Sequence, residues 1–400
     1  MKVFIAGIDG YLGWPLAQHL TARGHEVAGT DLFLRRQWVE EVGGQSALPV
    51  YSMSDRLQAF RERYGKDLNF RQGDLLDYEF LKDYLADFQP DAIVHLAEMP
   101  SAPYSMIDQK HAAFTQQNNV IGSLNLLWAI KEACPNAHLV KLGTMGEYGT
   151  PNIPIPEGFF EVEYRGRKDT LPFPRQAGSF YHWSKVHDSG NTMFACRIWG
   201  LRSTDIMQGV VFGTQIDVMG GDPRLYSRLD FDQCFGTAIN RFVCQAVIGH
   251  PLTLYGLGGQ TRGFLPMRDS IQCMTLVIEN PPEAGEYRVF NQFEETYSIE
   301  ELAQKVQAAG IGVGLDIEIH HYDNPRKEME KHFFQADRQH LLDLGYQPTH
   351  DVVAEVKIML RDLLPHRDRI LEKAESLIPD IRWDGSRRRS AIIDGEKSAV

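Results

Sequence analysis

The chain has 400 residues, 43% of them hydrophobic and 24% charged, enough for a large core in one or two soluble globular domains. A net charge of −12 argues against a nucleic-acid surface, and no run of about 18 apolar residues is present to span a membrane. Five cysteines (134, 196, 234, 244 and 273) lack metal-type spacing and are odd in number, and the fourteen histidines form no ligand cluster. Reduced thiols, no metal and a small-molecule partner are therefore expected. Met1 leads directly into the first expected strand, so a cytoplasmic protein without a targeting peptide is also expected.

Apolar runs at 3–6, 26–30, 68–72, 92–96 and 138–142 read as buried strands, separated by helical periodicity at 14–20, 77–88 and 111–133. This alternation predicts an α/β fold with a doubly wound, Rossmann-type parallel sheet and a ligand crevice at the strand C-termini. The first strand runs into Gly7, Asp9, Gly10, Tyr11, Leu12 and Gly13, where glycines let backbone approach a pyrophosphate at a helix N-terminus. Asp31 ends the second strand, where a carboxylate accepts from an adenosine ribose and repels a 2′-phosphate. NAD is favoured over NADP, although Arg35 and Arg36 are positioned to meet a phosphate instead.

Residues 33–65 exceed a simple crossover and read as an inserted helix over the cofactor edge. After the third strand, Asp74 and Leu75 suit either an adenine contact or, for Asp74, a helix N-cap. Leu96 and Ala97 end the fourth strand beside the cofactor. Asn118, on the long helix next to Asn119, either supports active-site backbone or is a satisfied core amide.

Thr144 ends the fifth strand, and Tyr181 and Lys185 follow as Tyr-x-x-x-Lys. One helical turn puts the ammonium beside the phenol, which predicts a lowered phenol pKa and a tyrosine base for alcohol/ketone exchange, with Lys185 also at the cofactor. Beyond residue 212 the pattern loosens into glycine-rich turns and shorter elements, including a helix at 298–310 capped by Ser298. The expected division is an NAD-binding domain at 1–212, a smaller substrate-binding region at 213–384 that can return strands to the first sheet, and a polar tail at 385–400, frayed or docked on a partner subunit.

Four blocks carry a specific resemblance: 101–108 (SAPYSMID), 144–153 (TMGEYGTPNI), 179–182 (SFYH) and 258–263 (GGQTRG). They are similar to the UDP-sulfoquinovose synthase family of extended short-chain dehydrogenase/reductases. The resemblance implies a tightly held NAD and conversion of UDP-glucose and sulfite into UDP-sulfoquinovose through a 4-keto-5,6-ene. It also implies a homodimer built on the helices around 111–133 and 181–197. Ser101, Tyr104 and Thr144 would meet the sugar. Gln208, Arg228 and Asn240 would line the sugar and nucleoside pocket. Arg262 and Arg326 resemble the family's diphosphate arginines, surface ion pairing being the bland alternative.

Related dehydratases carry Thr-Asp-Glu where this chain has Thr144-Met145-Gly146, with Glu147 one place later and His182 beside the tyrosine. Glu147 and His182 are therefore expected to share C5 deprotonation and C6 elimination, and Met145 to spare incoming sulfite a like charge. Met99-Pro100 stands where plant-type members carry Gln-Arg. A UDP-sugar 4-epimerase or 4,6-dehydratase is the rival reading, and a noncatalytic NAD-binding protein a more distant one.

Overall fold

Runs that are apolar on both sides of the pleat must be covered on both faces, and this dictates a central sheet between two helical layers. In the computed structural model, which describes residues 1–329 and 333–393, that sheet has seven strands, all parallel. β1 (Lys2–Ala6), β2 (Glu26–Asp31), β3 (Asn69–Gln72), β4 (Ala92–His95) and β5 (His138–Thr144) are continued by Arg202–Gln208 and Tyr287–Gln292. From one edge the order is Tyr287–Gln292, Arg202–Gln208, β5, β4, β1, β2, β3. β1 pairs with β2 (Ala6 opposite Thr30) and with β4 (Ala6 opposite His95), so the winding reverses there and a crevice opens beyond their C-terminal ends.

α1 (Gly13–Ala22) starts on the glycine loop and buries Trp14, Leu16, Ala17 and Leu20 under one face of the sheet. The segment 33–65 holds two helices rather than one, α2 (Leu34–Glu41) and α3 (Met53–Tyr64), the latter capped by Ser52. α4 (Tyr78–Phe88) is capped by Asp77, whose carboxylate accepts from the Phe80 amide. Asp74 is therefore not the cap; it accepts from the Leu76 amide at 2.9 Å.

The expected helix at 111–133 is interrupted. α5 (Gln109–Gln116) and α6 (Gly122–Ala133) are joined by a π-helical turn, Gln117–Ile121. The wider turn carries Asn118 and the fully buried Asn119. α7 (Phe180–Trp199) packs beside both helices and starts at Ser179, whose hydroxyl accepts from the His182 amide.

The second region surrounds its own apolar core of Phe212, Phe242, Phe264, Val306, Val356 and neighbours. It carries a three-stranded sheet (Glu295–Ser298, Thr261–Pro266, Val210–Phe212) and the helix Ile299–Ile311, with Ser298 and Glu301 in a reciprocal capping box. Through residue 393 the tail is packed rather than frayed. Arg382 and Arg388 pair with Asp323, the Asp323 amide donates to Ala391, and Ile392 bridges to Tyr322, so this stretch docks on its own chain. The rest of the tail lies outside the described residues. All five cysteines are free and buried. Among the described residues no helix is long and apolar enough to cross a membrane, and no His/Cys/Asp/Glu group is arranged to hold a metal.

Candidate active site

Loops at the C-terminal ends of β1, β2, β4 and β5 and the second region enclose one cavity of about 760 Å³. Gly7 holds φ +89°, and a Cβ there would fall 2.6 Å from the Leu96 carbonyl carbon. A Cβ at Gly13 would collide with the Gly7 carbonyl oxygen. The loop is thus compressed to bare backbone between β1 and α1, and Gly7, Gly10, Tyr11, Leu12 and Gly13 all line the cavity.

At the same end Asp31 accepts from the Asp9 amide (2.9 Å, Oδ2) and the Phe33 amide (2.7 Å, Oδ1). Burial, reinforced by Asp9, pushes its carboxyl up to about 6. Asp74, Leu75, Leu96, Ala97 and Asn118 complete that wall. The cradle, the acid at the end of β2 and the small residues after β4 fit an NAD-sized dinucleotide. Of the residues expected at the cofactor, Asp9, Arg36 and Lys185 do not line the cavity. The Asp9 carboxylate turns inward to pair with Arg56 and Arg36, and Arg36 is spent on that pair at 2.7 Å. Arg35 lines the cavity but is held at 2.7 Å by Asp230.

Thr144, Met145, Tyr181 and His182 all line the cavity, the Tyr181 and His182 rings lying 4.9 Å apart. Thr144 Oγ1 accepts from the Gly146 amide at 3.1 Å, which fixes the turn that follows β5. Tyr181 heads α7, its amide donating to Ser105 Oγ at 3.0 Å. Burial, with Glu147 second, holds its phenol well above the ordinary tyrosine value. The lowered phenol expected from Lys185 is not found. Lys185 is itself buried behind the cavity wall, and its ammonium pairs with Glu98, so it neither lines the cavity nor stands free beside the phenol. Burial draws that ammonium down to about 8 against Asp188 and Asp205.

His182 Nδ1 lies 2.9 Å from Ser179 Oγ, and burial followed by Arg326 and Arg262 draws its imidazole down to about 3. The ring is therefore neutral near pH 7. Glu147, expected as its partner, points away. Fully buried beneath the Thr144 turn, its carboxylate lies 3.0 Å from Ser189 Oγ, 3.9 Å from Lys141 and 4.0 Å from Arg175, and it does not line the cavity. The sequence interval brought it close in number, but the turn Met145–Glu147 rotates it into the interior.

At the far end Arg262 pairs with Glu328 at 2.6 Å and Arg326 stacks over Trp383 at 5.2 Å, both on the cavity wall. Arg241, which sequence reasoning missed, joins them. It is buried over Tyr255 at 4.3 Å, and burial followed by Arg326 pulls it down to about 9. Clustered guanidiniums of this kind favour a dianionic ligand. Asn240 faces the cavity with a buried Oδ1 lacking a protein partner among the described residues, and Gln208 lines it while donating to Ser270 and Gln292.

Ser101 lines the cavity, its hydroxyl donating to Cys234 and accepting from Tyr104. Tyr104 does not: its ring packs on Trp38 and Phe235 and its hydroxyl donates to Glu41 at 2.8 Å. Arg228 is likewise withdrawn, forming a buried forked pair with Asp230. Asn119 bridges the Met99 amide and carbonyl and Ser184 Oγ, tying the loop after β4 to α7. Arg241 was signalled only by adjacency to Asn240, and Glu98 only by following Ala97.

A parallel sheet with a glycine cradle, an acid after β2 and a Thr/Tyr group facing one cavity defines the class of NAD-type extended short-chain dehydrogenase/reductases. Residues 4–351 match the family model described as GDP-mannose 4,6 dehydratase. The solved UDP-glucose 4-epimerase of Bifidobacterium longum in complex with NAD+ and UDP superposes with TM-score 0.71 at 16% identity, covering 92% of this chain and 99% of that one. A UDP-glucuronic acid 4-epimerase of Bacillus cereus gives 0.68 at 19%, covering 91% and 99%.

Closer in sequence is the UDP-sulfoquinovose synthase of Sulfolobus acidocaldarius, 46% identical over 384 residues (96% of this chain, 98% of the relative). The chloroplastic UDP-sulfoquinovose synthase of Spinacia oleracea is 47% identical over 382 residues (96% and 79%). The chain belongs to the UDP-sulfoquinovose synthase family.

Proposed function

We propose that the protein is an NAD-dependent enzyme that converts UDP-glucose and sulfite into UDP-sulfoquinovose and water. The observation that carries this reading is the sharing of one cavity by a dinucleotide cradle, the Thr144–Tyr181–His182 group and an arginine cluster suited to a diphosphate. Gly7, Gly10, Gly13 and Asp31 would hold NAD, which when bound supplies the hydride acceptor and donor for sugar C4. Thr144 and Tyr181 orient the C4 hydroxyl, and Tyr181 takes and later returns its proton. A 4-keto group acidifies C5–H, and the neutral His182 accepts that proton and returns one to the leaving C6 hydroxyl. Sulfite then adds as bisulfite at C6 of the 4-keto-5,6-ene, and the proton it brings goes to C5. Met145, largely buried at the cavity edge, adds no charge against that anion.

Two further features belong to this reading. Ile121, Trp128, Phe180, Trp183, Phe194 and Ile198 are exposed apolar side chains on the π turn, α6 and α7, which favours a homodimer across that face. Five free, buried cysteines favour a reducing compartment such as the cytoplasm.

Mass spectrometry of products formed from UDP-glucose with and without sulfite tests the reading. A sulfonated UDP-sugar only when sulfite is present is the expected result. A UDP-4-keto-6-deoxy or C4-epimerised sugar regardless of sulfite would replace it with the dehydratase or epimerase reading.

A further inference from the structure

Part of the cavity wall is built from the last described stretch of the chain. Between 379 and 390 the backbone turns back on itself: the Arg388 amide donates to the Asp380 carbonyl, the Ser390 amide donates to that of Pro379, and Ile381 bridges Arg387. The turn is written in its residues, with Asp384 Oδ1 accepting from the Ser386 amide at 2.9 Å and Gly385 holding φ +81°. Three anchors fix this strap. Gln233, itself on the cavity wall, accepts from the Asp380 and Ile381 amides and donates to Asp380 Oδ1 at 2.8 Å. Asp323 pairs with both Arg382 and Arg388. At the tip, the Trp383 amide donates to the Pro325 carbonyl and its indole Nε1 donates to the Gly178 carbonyl, each at 3.0 Å.

The strap thus joins three segments that line the cavity, those of Gly178, Gln233 and Arg326, and Trp383 lines it as well. The Trp383 ring carries the Arg326 guanidinium 5.2 Å from its centroid. Arg262 is held differently, with Nη2 on Glu328 and Nη1 on the Thr261 carbonyl. An aromatic face attracts a cation without consuming any of its N–H donors, so the stacked arginine can still present them to an anion. Such support is needed on this wall. The charge of Arg326 is among those that depress Arg241 and His182, and like-charge repulsion opposes keeping several guanidiniums together.

We propose that Trp383 is a positioning residue for a nucleoside diphosphate sugar: its ring holds Arg326 on the cavity wall through a contact that consumes no N–H donor, and its indole N–H ties that arginine to the loop ahead of α7. The proposal rests on the reading of Arg326 as a diphosphate arginine.

The test is a double-mutant cycle read by calorimetric titration of UDP alone into the NAD-loaded protein. Trp383→Ala is expected to weaken UDP binding about tenfold in the parent and less than about twofold when Arg326 is already alanine. Trp383→Phe, which keeps a ring face but not the N–H, is expected to recover most of the affinity, whereas Trp383→Leu, apolar but without a π face, is not. That comparison decides the matter if the alanine variant does not fold. Equal losses in both backgrounds, or equal affinities in the phenylalanine and leucine variants, overturn the proposal, because the ring would then only fill space. UDP affinity unchanged by Arg326→Ala overturns it too, by removing the diphosphate role of that arginine. The expected pattern in a protein that makes no sulfonated sugar leaves the Trp383–Arg326 assignment standing and removes only the proposed reaction.

Discussion

Gly146 and His182 are packed so that only a glycine fits: a Cβ on Gly146 would overlap Cδ2 and Nε2 of the imidazole. The backbone of the turn after β5 thus sets the ring's position over the cavity. Gly146→Ala is expected to displace His182 and to cost about 1–3 kcal/mol of stability through overpacking. The product yield should fall more than the cofactor affinity, which product assays and NAD titration would separate.

Glu147 and His182 make opposite predictions for C5. Glu147→Gln is expected to leave solvent-deuterium exchange at C5 of the bound sugar in place while lowering stability, since it weakens the Lys141–Asp205–Ser189 cluster. His182→Ala is expected to slow that exchange by about a hundredfold or more. Persistent exchange in the histidine variant, or its loss only in the glutamine variant, would restore Glu147 as the base.

His138 offers a pH signature away from the cavity. It is buried, its Nε2 lies 2.9 Å from Thr204 Oγ1, and burial followed by Arg288 and Arg202 holds it down to about 3. An unfolded histidine titrates near 6.5, so between those values the unfolded chain binds the extra proton. The stability His138 contributes is complete above about pH 6.5 and is lost as pH falls toward 3. Relative to His138→Gln, the parent should lose up to about 1.4 kcal/mol per pH unit in that window. Urea denaturation at pH 7, 6 and 5 would show a constant difference if the ring is not held neutral.

Asp31 accepts two backbone amides that also shape the cofactor loop. Asp31→Ala is expected to weaken NAD binding by about tenfold or more, the value of one charge-assisted hydrogen bond, and to narrow the preference over NADP. Fluorescence titration with both nucleotides measures this, and an unchanged ratio would remove the carboxylate from cofactor selection.

Phe194 is half exposed in the apolar face of α7. Phe194→Asp is expected to weaken self-association by roughly thirtyfold or more if it sits in the dimer core, where truncations cost about 2 kcal/mol. Sedimentation velocity decides, and a monomeric parent would dispose of the interface.

Strand periodicity, the glycine loop, Asp31 and the Thr144/Tyr181 spacing were legible in the sequence because each depends on local geometry: alternation, turn conformation and helical pitch. They were sufficient to predict the parallel sheet, while the family resemblance rested on the blocks at 101–108, 144–153, 179–182 and 258–263. The direction in which a side chain turns depends instead on what packs against it. Asp9 and Arg36 neutralise each other, Arg228 pairs with Asp230, Tyr104 joins the Trp38 cluster, Glu147 folds under the sheet end, and Lys185 is claimed by Glu98. Buried charges settle on the nearest opposite charge that the fold supplies, often from a segment distant in sequence, as Arg35 and Asp230 do. Sequence thus determined the glycine loop, Asp31, Thr144 and Tyr181 that line the cavity, while only the tertiary structure decided which of the neighbouring charges face the cavity and which are consumed in its walls.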